Sequence, residues 1–179
     1  MPRRPRIVQA GVPHHVTQRG NRRELVSFGD ADRLAYLDWL RQYTSEHAVD
    51  VLAYCLMPNH VHLIVVPSTA DGLRRALQPL HARYAQRVNR GRGLVGHLWQ
   101  GRFYSAVMDE THLWVAIRYV ERNPVRAGLA DAADRYRWSS ARAHCGLRSD
   151  PVLSANPVWQ RQFEAVGDWS AWLAASDEE

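Results

Sequence analysis

The chain has 179 residues, enough for one domain or one domain with a tail but cramped for two full cores. Hydrophobic residues make up 46% and charged residues 23%, which argues against wholesale disorder, and a chain of this length needs no disulfide or metal merely to fold. All 23 basic residues are arginine, and 18 acids leave a net charge of +5.

That excess is uneven. Residues 1–149 hold 22 arginines against 12 acids, a net +10, whereas residues 150–179 hold one arginine against six acids, a net −5. The expected division is therefore a basic body over 1–149 and an acidic, Trp-containing tail over 150–179. A basic body suggests a polyanionic partner. GC-rich coding also replaces lysine by arginine, so the clustering of the arginines says more than their total. Cys55 and Cys145 form neither a metal pattern nor a disulfide framework. The amino end, Met-Pro-Arg-Arg-Pro-Arg, leads into no signal-like apolar run, and the apolar stretch around Leu63–Val66 is too short to span a bilayer. A soluble, cytoplasmic protein with no membrane partner is the expectation.

His14 to Arg19 reads as a short strand closed by the turn pair Gly20-Asn21. Asp30 caps a helix to about His47, with Tyr36, Trp39, Leu40 and Tyr43 on one face. Val51–Met57 and His60–Pro67 are strands joined by the turn Pro58-Asn59, which makes them an antiparallel pair. A second helix covers about Asp71 to Asn89, buried through Leu73, Leu77, Leu80, Tyr84 and Val88, and Pro79 is expected to kink or split it. Trp99 to Met108 reads as extended. Asp109 or Glu110 opens a third helix, which Asn123-Pro124 is expected to end. One more short helix fits 135–145, and the remainder reads as a loose tail docked through Trp159, Trp169 and Trp172. The first six elements match an α+β, ferredoxin-like split β-α-β-β-α-β antiparallel sheet, followed by an added helix.

His60 and His62 lie two apart on the clearest strand, so their imidazoles share a face and could hold one divalent cation or one phosphate. Partly buried structural histidines are the plainer reading. Tyr119 and Asn123 are four apart on the third helix, one above the other, and amphipathic lining and helix termination are the plainer readings for them. From Arg74 to Arg102 the chain has seven arginines (Arg74, Arg75, Arg83, Arg87, Arg90, Arg92 and Arg102) and no acid. Tyr84, Trp99, Phe103 and Tyr104 are interleaved with them. Guanidiniums bind phosphates bidentately and aromatic faces stack on unpaired bases, which points to nucleic acid. A second cluster, Arg3, Arg4, Arg6, Arg19, Arg22 and Arg23, opens the chain. The other histidines, His14, His15, His81, His97 and His112, have no partner at metal spacing and read as structural or incidental DNA contacts.

The run Met57-Pro-Asn-His-Val-His-Leu-Ile-Val65 resembles the metal motif of HUH tyrosine transposases, an IS200-like superfamily. Tyr119-Val-Glu-Arg-Asn-Pro-Val-Arg-Ala-Gly-Leu129 is similar to the nucleophile helix of its REP-associated branch. His15-Val-Thr-Gln-Arg-Gly20 and Leu98-Trp-Gln-Gly-Arg-Phe-Tyr-Ser105 resemble that branch's first strand and pre-helix segment. The four runs occur in the family's order over about residues 6–145. The resemblance implies Tyr119 as nucleophile, and His60, His62 and Asn123 as ligands of Mg²⁺ or Mn²⁺. Asn123 stands where relatives outside this branch carry Gln. It further implies a strand cleavage and transfer on single-stranded DNA with imperfect hairpins, through a 5′-phosphotyrosine link, by a monomer or a homodimer. DNA contacts are then expected from Arg19, Arg22, Arg74, Arg75, Arg83, Arg87, Arg90, Arg92, Trp99, Arg102 and Tyr104. The competing readings are a hairpin-binding protein on the same fold that no longer cuts, and an unrelated His-metal hydrolase. The acidic tail is either a brake lying over the basic groove or a solubilising end.

Overall fold

The computed structural model describes residues 8–175. The readings placed on Arg3, Arg4, Arg6, Asp177, Glu178 and Glu179 fall outside them. The elements in chain order are β1 (His14–Arg19), α1 (Asp30–Glu46), β2 (Val49–Met57), β3 (His60–Pro67), α2 (Gly72–Arg92), β4 (Tyr104–Val107), α3 (Glu110–Arg126), and the short helices α4 (Ala141–His144), α5 (Pro157–Glu164) and α6 (Trp169–Ala174). The strands form one antiparallel sheet in the order β2-β3-β1-β4. This is the split β-α-β-β-α-β arrangement that the hydrophobic pattern predicts, with α3 added after it.

Strands β2 and β3 are apolar almost throughout because both sheet faces are covered. Helices α1 and α2 pack on one face, over Val16, Tyr54, Leu56, Val61, Leu63 and Val65. Helices α3 and α6 pack on the other, over Cys55, Met57, Ile64 and Val66. A bulge in β2 re-aims its first half: Val51 pairs with Val65 and Ala53 with Ile64, leaving Leu52 as the extra residue. Leu52 and Ala53 consequently both join the α3-side core.

Two prolines do not end the helices that contain them. Helix α2 runs from Gly72 to Arg92 through Pro79 without a split. Helix α3 continues through Asn123-Pro124 to Arg126, with Ala127 N–H donating to the Asn123 carbonyl at 3.0 Å. An interior proline costs a helix about 3 kcal/mol. In α2 that cost is offset by the burial of Leu73, Leu77 and Leu80 around Pro79, and in α3 by that of Ile117, Val120 and Pro124 itself. Asn123 is thus a helical residue, on the same face as Tyr119.

Residues 150–175 are not a loose end. Ser154 N–H donates to the Val51 carbonyl at 2.8 Å, and Asn156 Nδ2 donates to Asp50 at 3.1 Å, so the chain follows the β2 edge. It then places Trp169 and Leu173 in the core against α3. Glu121 of α3 is fully buried and accepts from Ser140 Oγ (2.5 Å), His144 Nδ1 (2.6 Å) and Trp169 Nε1 (2.8 Å). Three donors satisfy a carboxylate that would otherwise be costly to bury. Two of them come from α4 and α6, so the carboxyl end is stitched to α3. We expect Trp169→Ala to destabilise the protein by about 3–5 kcal/mol, the sum of a lost core indole and an orphaned Glu121 oxygen. Thermal denaturation checks this, and a shift in Tm below about 3 °C would show that the carboxyl end is not part of the cooperative unit.

Candidate active site

Alternation along β3 sends His60 and His62 to the α3 side of the sheet, in line with Ile64 and Val66. The register with β1 places Arg19 opposite His60, Thr17 opposite His62 and His15 opposite Ile64, all on that same face. Helix α3 then carries Tyr119 and Asn123 over the pair. The His60 and His62 rings are 4.8 Å apart and near perpendicular, and the Tyr119 ring is 5.7 Å from His62. Asn123 Nδ2 lies 3.2 Å from His62 Nε2. The four residues singled out from the sequence are therefore brought together.

His15 is the member that sequence reasoning missed. Its Nε2 is 2.9 Å from His62 Nδ1, its ring stacks on that of His62 at 5.1 Å, and the Tyr119 ring sits 6.3 Å away. The pair His14-His15 shows only that one of the two faces the site; the β1–β3 register decides which. His14 lies on the other face, where it is buried.

One tautomer of His62 satisfies both contacts. Nδ1–H donates to His15 Nε2, and Nε2 accepts from the Asn123 amide. His60 Nδ1 donates to Asn59 Oδ1 at 2.6 Å, which leaves its Nε2 as the available lone pair. All three imidazoles are held neutral. Burial, and then the Arg19 charge, push His60 down to about 4. Burial, then His15, His60 and Arg19, push His62 down to about 3. Burial also lowers His15. Among the described residues no group of three or more His, Cys, Asp or Glu has metal-holding geometry. A cation here would rely instead on the His60 and His62 lone pairs and the Asn123 carboxamide, whose rotation replaces N–H by Oδ1 beside His62. That donor set suits a divalent ion, and imidazole favours Mn²⁺ over Mg²⁺.

The site opens onto a cleft of about 1030 Å³ lined by Arg22, Arg23, Asn59, His60, Arg92 and Asn123. It lies where the loop after β1, the β2–β3 turn, the segment after α2 and the end of α3 meet. Gly20 makes this junction possible: a Cβ there would sit 2.2 Å from the Glu24 carbonyl oxygen. Beyond it, Arg22 and Arg23 both adopt left-handed backbone, with φ of 54° and 62°. The exposed apolar residues Leu25, Leu94, Val95 and Leu129 also line the cleft.

The other candidate contacts separate. Arg19 is exposed on the site face, and Tyr104, 65% exposed, stands opposite Thr17 on that face from the edge strand β4. Arg83, Arg87, Arg90 and Arg92 line a second cleft, between α1 and α2. Arg74 and Arg75 are at the far end of α2, about 25 Å along its axis from Arg92, each near Asp71 at 3.8 and 4.0 Å. Arg102 is exposed in the segment before β4 and lines neither of these clefts. Trp99 gives no face to a base: it is 8% exposed, stacks on Tyr84 at 5.7 Å and donates Nε1–H to the His81 carbonyl at 2.9 Å. Its indole serves the core, because the segment after α2 folds back onto that helix. None of the residues lining the two Arg-rich clefts belongs to 150–175, so the described part of the carboxyl end does not cover them.

Two imidazoles, a carboxamide and a phenol thus meet on one face of an antiparallel α+β sheet, beside an arginine-lined cleft. The chain belongs to the IS200-like transposase family, whose model ("Transposase IS200 like") matches residues 8–123. It is 23% identical over 111 residues to a putative REP-associated tyrosine transposase of Haemophilus influenzae, a match covering 56% of this chain and 63% of that relative's length. Its fold is similar to the structure of a REP-associated tyrosine transposase bound to a REP hairpin, with TM-score 0.67, 18% identity, and 88% of this chain and 93% of that one covered. A putative transposase from Deinococcus radiodurans is 19% identical, with TM-score 0.44 over 67% of this chain and 96% of its own. No helix among the described residues is long and apolar enough to cross a membrane.

The depressed histidines set a pH dependence. Their folded-state values of about 4 and about 3 lie below the ordinary 6.5, so below pH 6.5 unfolding takes up protons. The stability they contribute is complete above pH 6.5 and is lost as pH falls toward 3. In chelator, the Tm of the wild-type protein is expected to drop more steeply between pH 6.5 and 4 than that of His62→Gln. Parallel curves would show that His62 is not buried as a neutral imidazole.

Proposed function

We propose that this protein cleaves and rejoins single-stranded DNA at imperfect hairpins, with Tyr119 as nucleophile and His60, His62 and Asn123 as the holders of a Mg²⁺ or Mn²⁺ ion. The convergence of these four side chains from β3 and α3 carries the reading. Family membership supports the transposase chemistry, and the REP hairpin on the similar structure supports the substrate class.

The bound cation would polarise the scissile phosphate and offset charge as it develops there. Tyr119 Oη attacks phosphorus and its bond to the 3′ oxygen breaks, giving a 5′-phosphotyrosine and a free 3′-hydroxyl. The linkage keeps the phosphodiester's energy, so the reverse attack by a 3′-hydroxyl rejoins a strand without ATP. Tyr119 is 39% exposed, open enough to meet a substrate, and the Arg126 guanidinium stands 5.3 Å over its ring. His15 orients His62 by its hydrogen bond and Asn59 orients His60. Arg19, Arg22 and Arg92 meet the backbone near the cut, and Tyr104 offers a stacking face on the same side of the sheet.

One observation favours a protein that binds the same hairpins without cutting: both ring nitrogens of His62 are already engaged, by His15 and Asn123. A single experiment separates the two. Hairpin-bearing oligonucleotides are incubated with the protein and Mn²⁺ or Mg²⁺ and then denatured. The expected product is a covalent protein–DNA adduct that EDTA prevents, that Tyr119→Phe abolishes, and that His62→Ala lowers at least about 100-fold. An adduct formed by Tyr119→Phe would overturn the nucleophile, and tight salt-sensitive binding with no adduct would establish the binding-only reading.

A further inference from the structure

The α1–α2 layer carries a second basic cleft, of about 660 Å³, on the sheet face away from Tyr119. Its walls are the start of α1 and the last three turns of α2. Arg83, Arg87 and Arg90 recur along α2 at a spacing of about one turn, roughly 4.5–6 Å of axial rise each. The Arg83 guanidinium lies 4.4 Å over the Trp39 ring and that of Arg92 lies 4.1 Å over Phe28. A guanidinium stacked by its face is fixed in orientation and keeps its N–H edge for an anion. Asp32, the acid in this cleft, faces Arg87 at 3.5 Å and accepts from Phe28 N–H at 3.1 Å. Arg83, Arg90 and Arg92 have no acidic partner among the described residues.

This cleft adjoins the one at the histidines: Phe28 and Arg92 line both, and the Arg92 guanidinium packs on the Phe28 ring between them. A strand running from His60 and Asn123 into the helical layer would pass the Arg92–Phe28 pair and turn from the α3 side of the sheet to the α1–α2 side. A duplex, stiff over about 150 base pairs, does not follow such a turn within one small domain, whereas a single strand does. An acid-poor line of oriented guanidiniums fits a succession of phosphates and offers little to an acidic protein surface, which would need a broad face rather than a bent groove.

We propose that the α1–α2 cleft is a track for the single-stranded DNA flanking the hairpin, gripped at its phosphates by Arg83, Arg87, Arg90 and Arg92 and leading away from Tyr119. This rests on the hairpin-DNA reading above, and the test keeps the two apart. Binding of the full-length protein is measured by fluorescence anisotropy, across a salt series, for three probes: a blunt hairpin, the same hairpin with a single-stranded extension on each end in turn, and an unstructured oligo-dT strand. The variant is Arg83→Ala/Arg90→Ala, which removes two exposed side chains.

The expected result is that one extension tightens wild-type binding, that the variant loses this gain by about tenfold, and that its affinity for oligo-dT falls with a salt slope shallower by about 1.4. Blunt-hairpin affinity is expected to stay within about twofold. Asp32→Asn, which removes the opposing acid, is expected to raise oligo-dT affinity. If the variant weakens blunt and extended hairpins equally, the stem occupies the cleft and the proposal falls. If it binds all three probes like wild type, the cleft holds no DNA. Adduct formation at Tyr119 is scored separately: loss of the adduct with the oligo-dT effect intact overturns the cleavage reading and leaves the track standing.

Discussion

Successive side chains of β3 point to opposite faces, and each face is covered by a different helical layer. Val61, Leu63 and Val65 must face α1 and α2 to complete one core. That forces His60, His62, Ile64 and Val66 to the α3 side. Ile64 and Val66 anchor α3, while His60 and His62, at the open end of the strand, meet its later residues. A slip of one residue in register would bury the imidazoles among leucines and turn apolar side chains toward the cleft. The register is therefore fixed by the core, and the site inherits it.

Helix α3 needs its own restraint, because Tyr119 and Asn123 meet His62 only at one rotation of the helix. Two contacts set that rotation. Ile117 and Val120 lie against the sheet, and Glu121, between Tyr119 and Asn123 in sequence, is tied by Ser140, His144 and Trp169 from the other side. The carboxyl end thus belongs to the support of the site. Its acids gave the impression of a tail, but its tryptophans are what the structure uses. Arg118 adds a further tie, donating to the Trp172 and Ala175 carbonyls.

The charge pattern divides in the same physical way. Arg19, Arg22 and Arg92 approach the histidines, Arg83, Arg87 and Arg90 line the second cleft, and Arg74 and Arg75 stand at the remote end of α2 beside Asp71. A run of arginines that is continuous in sequence is spread along a helix more than 30 Å long. Proximity in sequence could not rank them. Trp99 shows the converse: an aromatic between arginines looks like a stacking platform until the fold shows that it packs on Tyr84.

Much of this protein is determined by local sequence. Alternation and helical period give the order of strands and helices, the shared face of His60 and His62, and the four-residue step from Tyr119 to Asn123, because those periods depend only on backbone geometry. What the tertiary structure decided are the matters that hinge on burial and long-range pairing. Proline chemistry at Pro79 and Pro124 is local, and packing outweighed it, which kept Asn123 on its helix. The partnership of His15 with His62 spans 47 residues and exists only through the β1–β3 register. The assignment of Trp169 to the core, of Trp99 to the α2 contact, and the adjacency of two basic clefts at Phe28 and Arg92 likewise depend on which distant surfaces meet, and no residue's own neighbours in the chain specify that.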